Sequence, residues 1–537
     1  MMDRTTKRVL RSELFRHLDG LVIIPTAYTL YTSGIINYID DHDRVTLDQL
    51  SEKYHANKGY LNVALRGLAA QGWIAYSIDN DQREVHIATN DKTSSFLKYV
   101  PFYKEAFDLL NLSGQYHQRK FENEPFLALE RLYKSYKVQQ DTDQENDPID
   151  QDVKTQLLRH IEGVIVGPSI VALGMTGMFH QYFMKSSFHP SEFHSDGVMF
   201  GRLLDIFTDL GWFERQGDTL RFTDKGMFFA QRASAYGVTV SYLPMFRKVH
   251  DLLFGDPNKL WQTEPGKPEL HVDRKMNVWG SGGAHGAYFK KLDEVVINVF
   301  NQPIEDQPKG ILDMGCGNGA LLIHLYDVIE NRTLRGKMLE EHPLYLVGAD
   351  YNDKALEVTR ANLIQARVWA KVIKGDISRP DLLDQDLQKS FGLQLSDLLN
   401  VRTFLDHNRI WSDPQIDPIE SSSSTGAFTY RGRYLSNQAV EQNLVEHFGR
   451  WTPYIRKYGL LLIELHTIAP DLTAHHLGKT ASTAYDLTHG FSDQYILEIG
   501  AFKKCAERAG LQAAVEYSYR FPDSDIATVS VNLLQAL

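Results

Sequence analysis

The sequence predicts an α/β domain built on a parallel sheet, preceded by a mostly α-helical, duplicated region. Three observations predict it. The front half repeats itself, and a short apolar strand runs into a glycine-rich turn and an apolar helix at residues 308–329. Beyond that point strand-like and helix-like segments alternate, the pattern of a parallel sheet that holds ligands at its strands' carboxyl ends. The 537 residues leave room for three or four domains at ~150 residues each. A hydrophobic content of 43% and a charged content of 23% exclude a disordered chain. The net charge of -11, from 57 basic and 68 acidic residues, has the wrong sign for a general grip on nucleic acid. Two cysteines, Cys316 and Cys505, exclude a disulfide framework and fit a reducing, cytoplasmic setting. There is no run of about 18 uncharged apolar residues, so no membrane span is expected. The polar start MMDRTTKRVLRSELFRHLDG has no apolar signal core, so export is not expected.

The repeat is read from paired segments. RHLDGLVIIP, Arg16 to Pro25, matches RHIEGVIVGP, Arg159 to Pro168. The same offset pairs YVPFYKEAFDLL, Tyr99 to Leu110, with YLPMFRKVHDLL, Tyr242 to Leu253. LRGLAAQGWI resembles LLDIFTDLGWF between those anchors. The copies are placed at 1–115 and 153–257, with 116–152 as an acidic, solvated linker. In each copy an apolar helix comes first, then a helical stretch that ends in Leu-x-x-x-Gly-Trp, where glycine supplies a left-handed stop. A hairpin follows: WIAYSIDNDQREVHIAT in the first copy and WFERQGDTLRFT in the second. Helices followed by a two-stranded wing make a winged-helix-like pattern. DNA binding is the usual function of such a unit. The segments in the recognition-helix position, GYLNVALRGLAAQ and GVMFGRLLDIFTDL, hold one basic residue each, where phosphate binding needs several. A packing, dimerising or lid role is expected instead. A regulator that binds DNA and uses its cofactor only as a ligand remains the reading of another class. The Pro-containing connector FGDPNKLWQTEPGKPELH leads into the back region, 258–537, and SSSS at 421–424 marks a flexible loop within it.

PKGILDMGCGNGALLIHLYDVI, Pro308 to Ile329, carries the strongest signal. Its glycines let the backbone turn sharply and approach a ligand. A second strand, YLVGAD, ends in Asp350, and a third, WAKVIKGDIS, ends in Gly375-Asp376. A dinucleotide turn would seat a pyrophosphate at the helix N-terminus, and Asp313 just before the turn would repel it. The acid suits a cationic ligand. S-adenosylmethionine (SAM) carries a sulfonium and an amino group and no phosphate.

On these residues the chain resembles the class I SAM-dependent methyltransferases over roughly residues 275–537, an α/β Rossmann-like domain. The resemblance implies that Asp313, Gly315 and Gly317, with Asn318 and Gly319, lie against the methionine part of SAM. It implies that Asp350, with Tyr351, holds the ribose hydroxyls, and that Asp376, with Ile377, contacts adenine. The segment NRTLRGKMLEEHP between Asp313 and Asp350 is read as a helix-loop insertion.

Later strands deliver the chemistry. LQLSDLLNVRTFLDHNRIW holds the fourth strand and its loop, YGLLLIELHTI the fifth, and YSYRFP and ATVSVNLL a closing antiparallel pair. Ser492 to Leu511 reads as a helix capped by Ser492. His466 then ends the fifth strand, His407 follows the fourth, and Gln494 begins the next helix. Tyr288 and His285, in the helix before the first strand, are candidates for contact with SAM or substrate.

Winged helices ahead of a methyltransferase domain are also the layout of many small-molecule O-methyltransferases, in which a histidine after the fourth strand is the base. His407 takes that position, in Leu-Asp-His-Asn. A closer resemblance rests on GSGGAHGAYFKKLDEVV at 280–296, VRTFLDHNR at 401–409, ELHT at 464–467 and THGFSDQY at 488–495. These segments resemble the C-methyltransferases of polyketide synthase loading modules, of the apratoxin type. That resemblance implies methylation of the α-carbon of a malonyl group on an acyl carrier protein. It also implies iron or manganese held by His466 and Gln494, and polyketide synthase modules as partners. The sequence does not choose a third ligand among Asp471, His475, His476, Asp486 and His489. Nucleic acid and membrane are not expected as partners, and the sequence leaves room for a homo-oligomer. The rival reading is O-methylation of a small natural product with His407 as general base.

Overall fold

The computed structural model describes residues 2–79, 84–112, 124–142, 145–262, 267–284, 286–417 and 421–537. His285 and the Asn80-Asp81 turn of the first hairpin lie outside them. The chain folds as two compact units. The first is Met1–Ala284 with Ala427–Tyr434 and Ala469–Asp493, and the second is His285–Gly426 with Leu435–Ile468 and Gln494–Leu537.

In the first unit the repeat becomes a pseudo-symmetric pair. The helices Arg4–Thr32 and Pro148–Met175 start at Asp3 and Asp147, whose carboxylates accept from backbone N–H groups of the first turn. They cross where each copy has its Arg-His-x-x-Gly motif. A Cβ added at Gly20 would collide with the His160 carbonyl, and one added at Gly163 with that of His17. Glycine is required because the two backbones touch. The histidines are exchanged as well: His17 Nδ1 lies 2.8 Å from the Tyr236 hydroxyl, and His160 Nδ1 lies 2.6 Å from that of Tyr103. Each copy's tyrosine therefore holds the other copy's histidine. Beside them Trp73 stacks on Phe96 at 4.1 Å and Trp212 on Phe229 at 4.8 Å. The Pro148–Met175 helix is long and apolar enough to cross a membrane by composition, but 78% of its most apolar window is buried here. It is a core helix.

The expected glycine stops are present, Gly72 at φ 79° and Gly211 at φ 80°. The wings are the antiparallel pairs Ala75–Asp79 with Glu84–Ala88 and Phe213–Gln216 with Thr219–Phe222. The first copy's recognition helix, Lys58–Ala70, is buried from Gly59 to its end. Gly59 backs onto Thr429, Gly67 onto Leu487 and Gly490 onto Val63, and Arg66, the one base within the buried stretch, is spent in a buried ion pair with Asp486. A helix covered on this scale cannot enter a DNA groove.

Two sequence expectations for this unit change. The span 116–152 is not only a solvated linker. Glu124–Asp141 is a helix that buries Phe126, Leu129, Leu132, Tyr133 and Tyr136, an apolar stripe that acidic neighbours mask in the composition. The chain from 258 to 284, read with the back region in the sequence, packs within this unit. The cause is a glycine crossing: a Cβ on Gly280 would lie 2.5 Å from Val238 N, and one on Gly237 would lie 2.6 Å from the Gly280 Cα.

The second unit is built on seven strands: β1 (Gly310–Met314), β2 (Tyr345–Asp350), β3 (Lys371–Lys374), β4 (Leu398–Thr403), β5 (Leu460–Leu465), β6 (Leu511–Phe521) and β7 (Val529–Ala536). Their order is β6-β7-β5-β4-β1-β2-β3. β1 to β5 pair in parallel, and β7 is antiparallel to both β5 and β6. All residues of β1 and β5 are buried, as in a parallel sheet covered on both faces. The order reverses between β1 and β4, the switch point where such sheets bind ligands.

Two loops in this unit also differ from expectation. The run after Ser492 is not helical at once; the helix spans Ile499–Arg508. Residues 494–497 form an irregular strap whose backbone bonds elsewhere. Tyr495 N donates to His407 O, and Leu497 O accepts from Thr467 N. The serine run is anchored rather than flexible: Ser422 Oγ donates to the buried Glu441, and Thr425 N and Oγ1 donate to Glu498, each at 2.5–2.7 Å.

Candidate active site

β1 delivers the glycine turn to the switch point. Gly315, Gly317 and Gly319 have φ of 80°, 57° and 77°, left-handed values that a side chain resists. Gly315 is needed twice, since a Cβ there would also lie 2.9 Å from Leu405 Cδ2. Gly315 N and Cys316 N donate to Ala349 O at the end of β2, and Gly317 N donates to Asp350 Oδ2 at 3.1 Å. Thr359 Oγ1 donates to Gly317 O, and Asn318 Oδ1 accepts from Ala320 N at the start of the following helix. Turn and strand end thus form one shelf carrying Gly315, Gly317, Asn318, Gly319 and Asp350. Tyr351 beside it is 63% exposed. Asp376 is half-buried after β3 and accepts from Ser378 N, and Ile377 is buried. Trp451 Nε1 donates to Ile377 O, which fixes that strand end.

Asp313 is the electrostatic centre of this shelf. Its carboxyl is 1% exposed, and its Oδ1 has no hydrogen-bond partner among the described residues. Burial, reinforced by the charge of Asp350, pushes it up to about 7. An orphaned buried carboxyl under an open glycine turn is an incomplete site. The ammonium of SAM would supply such a partner, a cationic donor that favours the ionised form. The residues present fit the cofactor.

A second constellation stands at the ends of β4 and β5. His407 Nδ1 lies 2.5 Å from Glu464 Oε1, and the His407 backbone N–H donates to Glu464 Oε2 at 3.2 Å. Glu464 is 1% exposed and also accepts from Leu465 N. A carboxylate only accepts, so Nδ1 carries the proton and Nε2 the lone pair. A histidine oriented in this way has the geometry a general base requires. Asp406 next to it belongs to a separate buried group with Arg402 and His447. Glu464 was not singled out in the sequence. The signal for it was one acid in the otherwise apolar strand LLLIEL.

The pair His466 and Gln494 does not fit a metal. The buried His466 is held down to about 4 by burial and is therefore neutral. Its Nδ1–H donates to Leu497 O at 3.0 Å, and its Nε2 accepts from Ser530 Oγ at 2.7 Å. The bond to a carbonyl requires the proton on Nδ1, so the one lone pair is already spent on Ser530. Ser530 is held in turn by Asn532, Asn532 by Ser518 and Ser518 by Lys503, each link 2.7–2.9 Å. Gln494 is buried in the strap after Asp493. His475, His476 and His489 each donate Nδ1–H to the carbonyl four residues earlier, and Asp486 pairs with Arg66. Among the described residues no group of three or more His, Cys, Asp or Glu is arranged to hold a metal ion. Tyr288 is half-buried, with its ring 6.0 Å from Phe404 and 5.0 Å from Phe521.

Comparison with known proteins matches this layout domain by domain. An AprA N-terminal domain model matches residues 10–76, an AprA winged helix domain model 162–256, and an AprA MT2-like domain model 269–532. No curated protein sequence matches the chain. Among solved structures, an O-methyltransferase family protein from Burkholderia thailandensis is 10% identical. The match covers 68% of this chain and 93% of that one, with a TM-score of 0.41. An O-methyltransferase family 2 protein from Planctomyces limnophilus is 11% identical over 98% and 95% of the two chains, with a TM-score of 0.38. The DszA carbon methyltransferase is 12% identical over 68% and 88%, with a TM-score of 0.29. Three models of one family, in order along one chain, account for the helical front, the wing and the seven-stranded sheet, and the chain belongs to the AprA-type SAM-dependent methyltransferases.

Proposed function

We propose that this methyltransferase methylates the α-carbon of a malonyl-type thioester presented by an acyl carrier protein. The observation that carries the reading is the His407–Glu464 pair at the carboxyl edge of β4 and β5. The α-carbon between a thioester and a carboxylate is a weak acid, and its methylation needs one positioned base. His407 Nε2 takes the α-proton, and Glu464 stabilises the imidazolium that forms. SAM supplies the methyl group on a sulfonium. The carbanion forms the new C–C bond as the C–S bond breaks, and the electron pair of that bond stays on sulfur. The shelf around Asp313 and Asp350 would hold the cofactor, which would supply an activated methyl group beside the acceptor. His466 is assigned no metal in this reading, because its lone pair is spent on Ser530. Its part is to tie β5 to β7 and to the 494–497 strap.

The same base serves a hydroxyl, so O-methylation of a small natural product is the second reading. The two separate in one assay. Malonyl-loaded carrier protein is incubated with the enzyme and SAM and weighed intact. A gain of ~14 Da, absent with His407→Ala, supports carbon methylation. No gain on the carrier, with SAM binding intact, moves the reading to a free hydroxylic acceptor.

A further inference from the structure

We propose that Phe404 is a specificity-determining residue, the inner end of an aromatic wall that limits the size of the acyl group; the proposal rests on the thioester reading above. Phe404 is the first residue after β4. Its φ is 53°, a left-handed value that makes a bulky residue a genuine outlier. The turn itself has a clear use. Phe404 N–H donates to Ile463 O at 2.8 Å, which carries the pairing of β4 with β5 one residue further. The next residue, Leu405, covers Gly315, and His407 meets Glu464 two residues beyond that. Glycine would make this turn with no strain, so the turn does not account for a phenylalanine. Strain of this kind persists where the surroundings over-determine it and gathers at functional sites.

The ring accounts for it. Phe404 meets the Tyr288 ring nearly edge-on, at 6.0 Å and 70°, and Tyr288 meets Phe521 at 5.0 Å and 76°. These residues come from the end of β4, from the helix Gly286–Val299 before β1 and from the end of β6. All are half-buried. β4 and β6 both run toward the edge that carries the glycine turn. The row therefore stands at the reacting edge of the sheet, each ring partly exposed. Apart from the Tyr288 hydroxyl the row presents only apolar ring surface, which suits the apolar α-substituent that grows as methyl groups are added. An apolar wall discriminates one methylene by about 10- to 200-fold.

The test uses the full-length enzyme and carrier proteins loaded with malonyl, methylmalonyl, ethylmalonyl and propylmalonyl groups. Wild type is expected to lose ~10-fold or more in kcat/KM at the first substituent that exceeds the wall. Phe404→Gly keeps the turn and removes the ring. It is expected to erase that step by lowering KM for the larger groups, with SAM affinity unchanged, and Phe404→Tyr is expected to restore it. An unchanged acyl profile in Phe404→Gly, with wild type active on malonyl carrier protein, overturns the wall alone. A wild type inactive on every carrier overturns the thioester reading and the wall with it.

Discussion

Replacing Asp313 by Asn should make the cofactor-free enzyme more stable and a poorer binder of SAM. The carboxyl is buried and unpartnered among the described residues, and burial with the Asp350 charge lifts it from 3.8 to about 7. The folded chain therefore holds this proton more tightly than the unfolded chain does. Stability contributed by the protonated form is full below pH 3.8 and is lost as pH rises toward about 7. At 1.36 kcal/mol per pH unit the whole change is roughly 4 kcal/mol, an upper figure for a desolvated group. Asp313→Asn removes the charge, so its gain over wild type is largest above pH 7 and vanishes in acid. Cofactor binding runs the other way. The ammonium needs the carboxylate, so affinity should climb with pH and level off above about 7. A charge-assisted hydrogen bond contributes about 1.5–3 kcal/mol, so Asn should weaken binding roughly 10- to 100-fold. Titration calorimetry with S-adenosylhomocysteine, in two buffers of different ionisation enthalpy, reads the released proton as well as the affinity. Wild-type affinity in Asp313→Asn, or binding with no proton release below pH 7, would refute the reasoning.

Further consequences can be tested singly. His407→Ala should lower kcat by about 10²- to 10⁴-fold with cofactor affinity unchanged, and Glu464→Gln should fall between it and wild type; equal activity in all three enzymes removes the dyad. Gly20→Ala and Gly163→Ala should each cost about 1–3 kcal/mol in denaturant unfolding, because both add a Cβ against the partner helix's backbone. A cost at only one of the two glycines contradicts the reciprocal crossing. His466→Ala should leave the metal content of the purified protein at the wild-type level, measured by plasma mass spectrometry. A stoichiometric metal lost on that substitution would show that Ser530 yields its place.

What the sequence disclosed was local. The glycine turn, Asp313, Asp350 and Asp376 could be read because one strand end and its following helix carry them in order, and the wings could be read because Gly72 and Gly211 close their helices in the left-handed region. The missing parts depend on distant partners. Nothing near residue 17 announces that Tyr236 will hold its ring, and nothing near Lys58–Ala70 announces cover from residues 427–434 and 469–493. Residues 494–497 have helical composition on either side, yet their hydrogen bonds go to His407, His466 and Thr467, so the helix starts only at Ile499. The serine run looks flexible by composition and is ordered by two carboxylates, Glu441 and Glu498. His466 was the reasonable choice of ligand from its place at a strand end. Only the packing of β7 reveals that Ser530 occupies its lone pair.

The most direct test of the account is the position of the transferred methyl. Malonyl carrier protein is incubated with the enzyme and SAM labelled with ¹³C in its methyl group, and the acyl group is released and examined by NMR. The account predicts a ¹³C methyl coupled to the α-carbon, formed by wild type and lost in His407→Ala. A methyl found on oxygen, or a C-methyl that survives loss of His407, would contradict it.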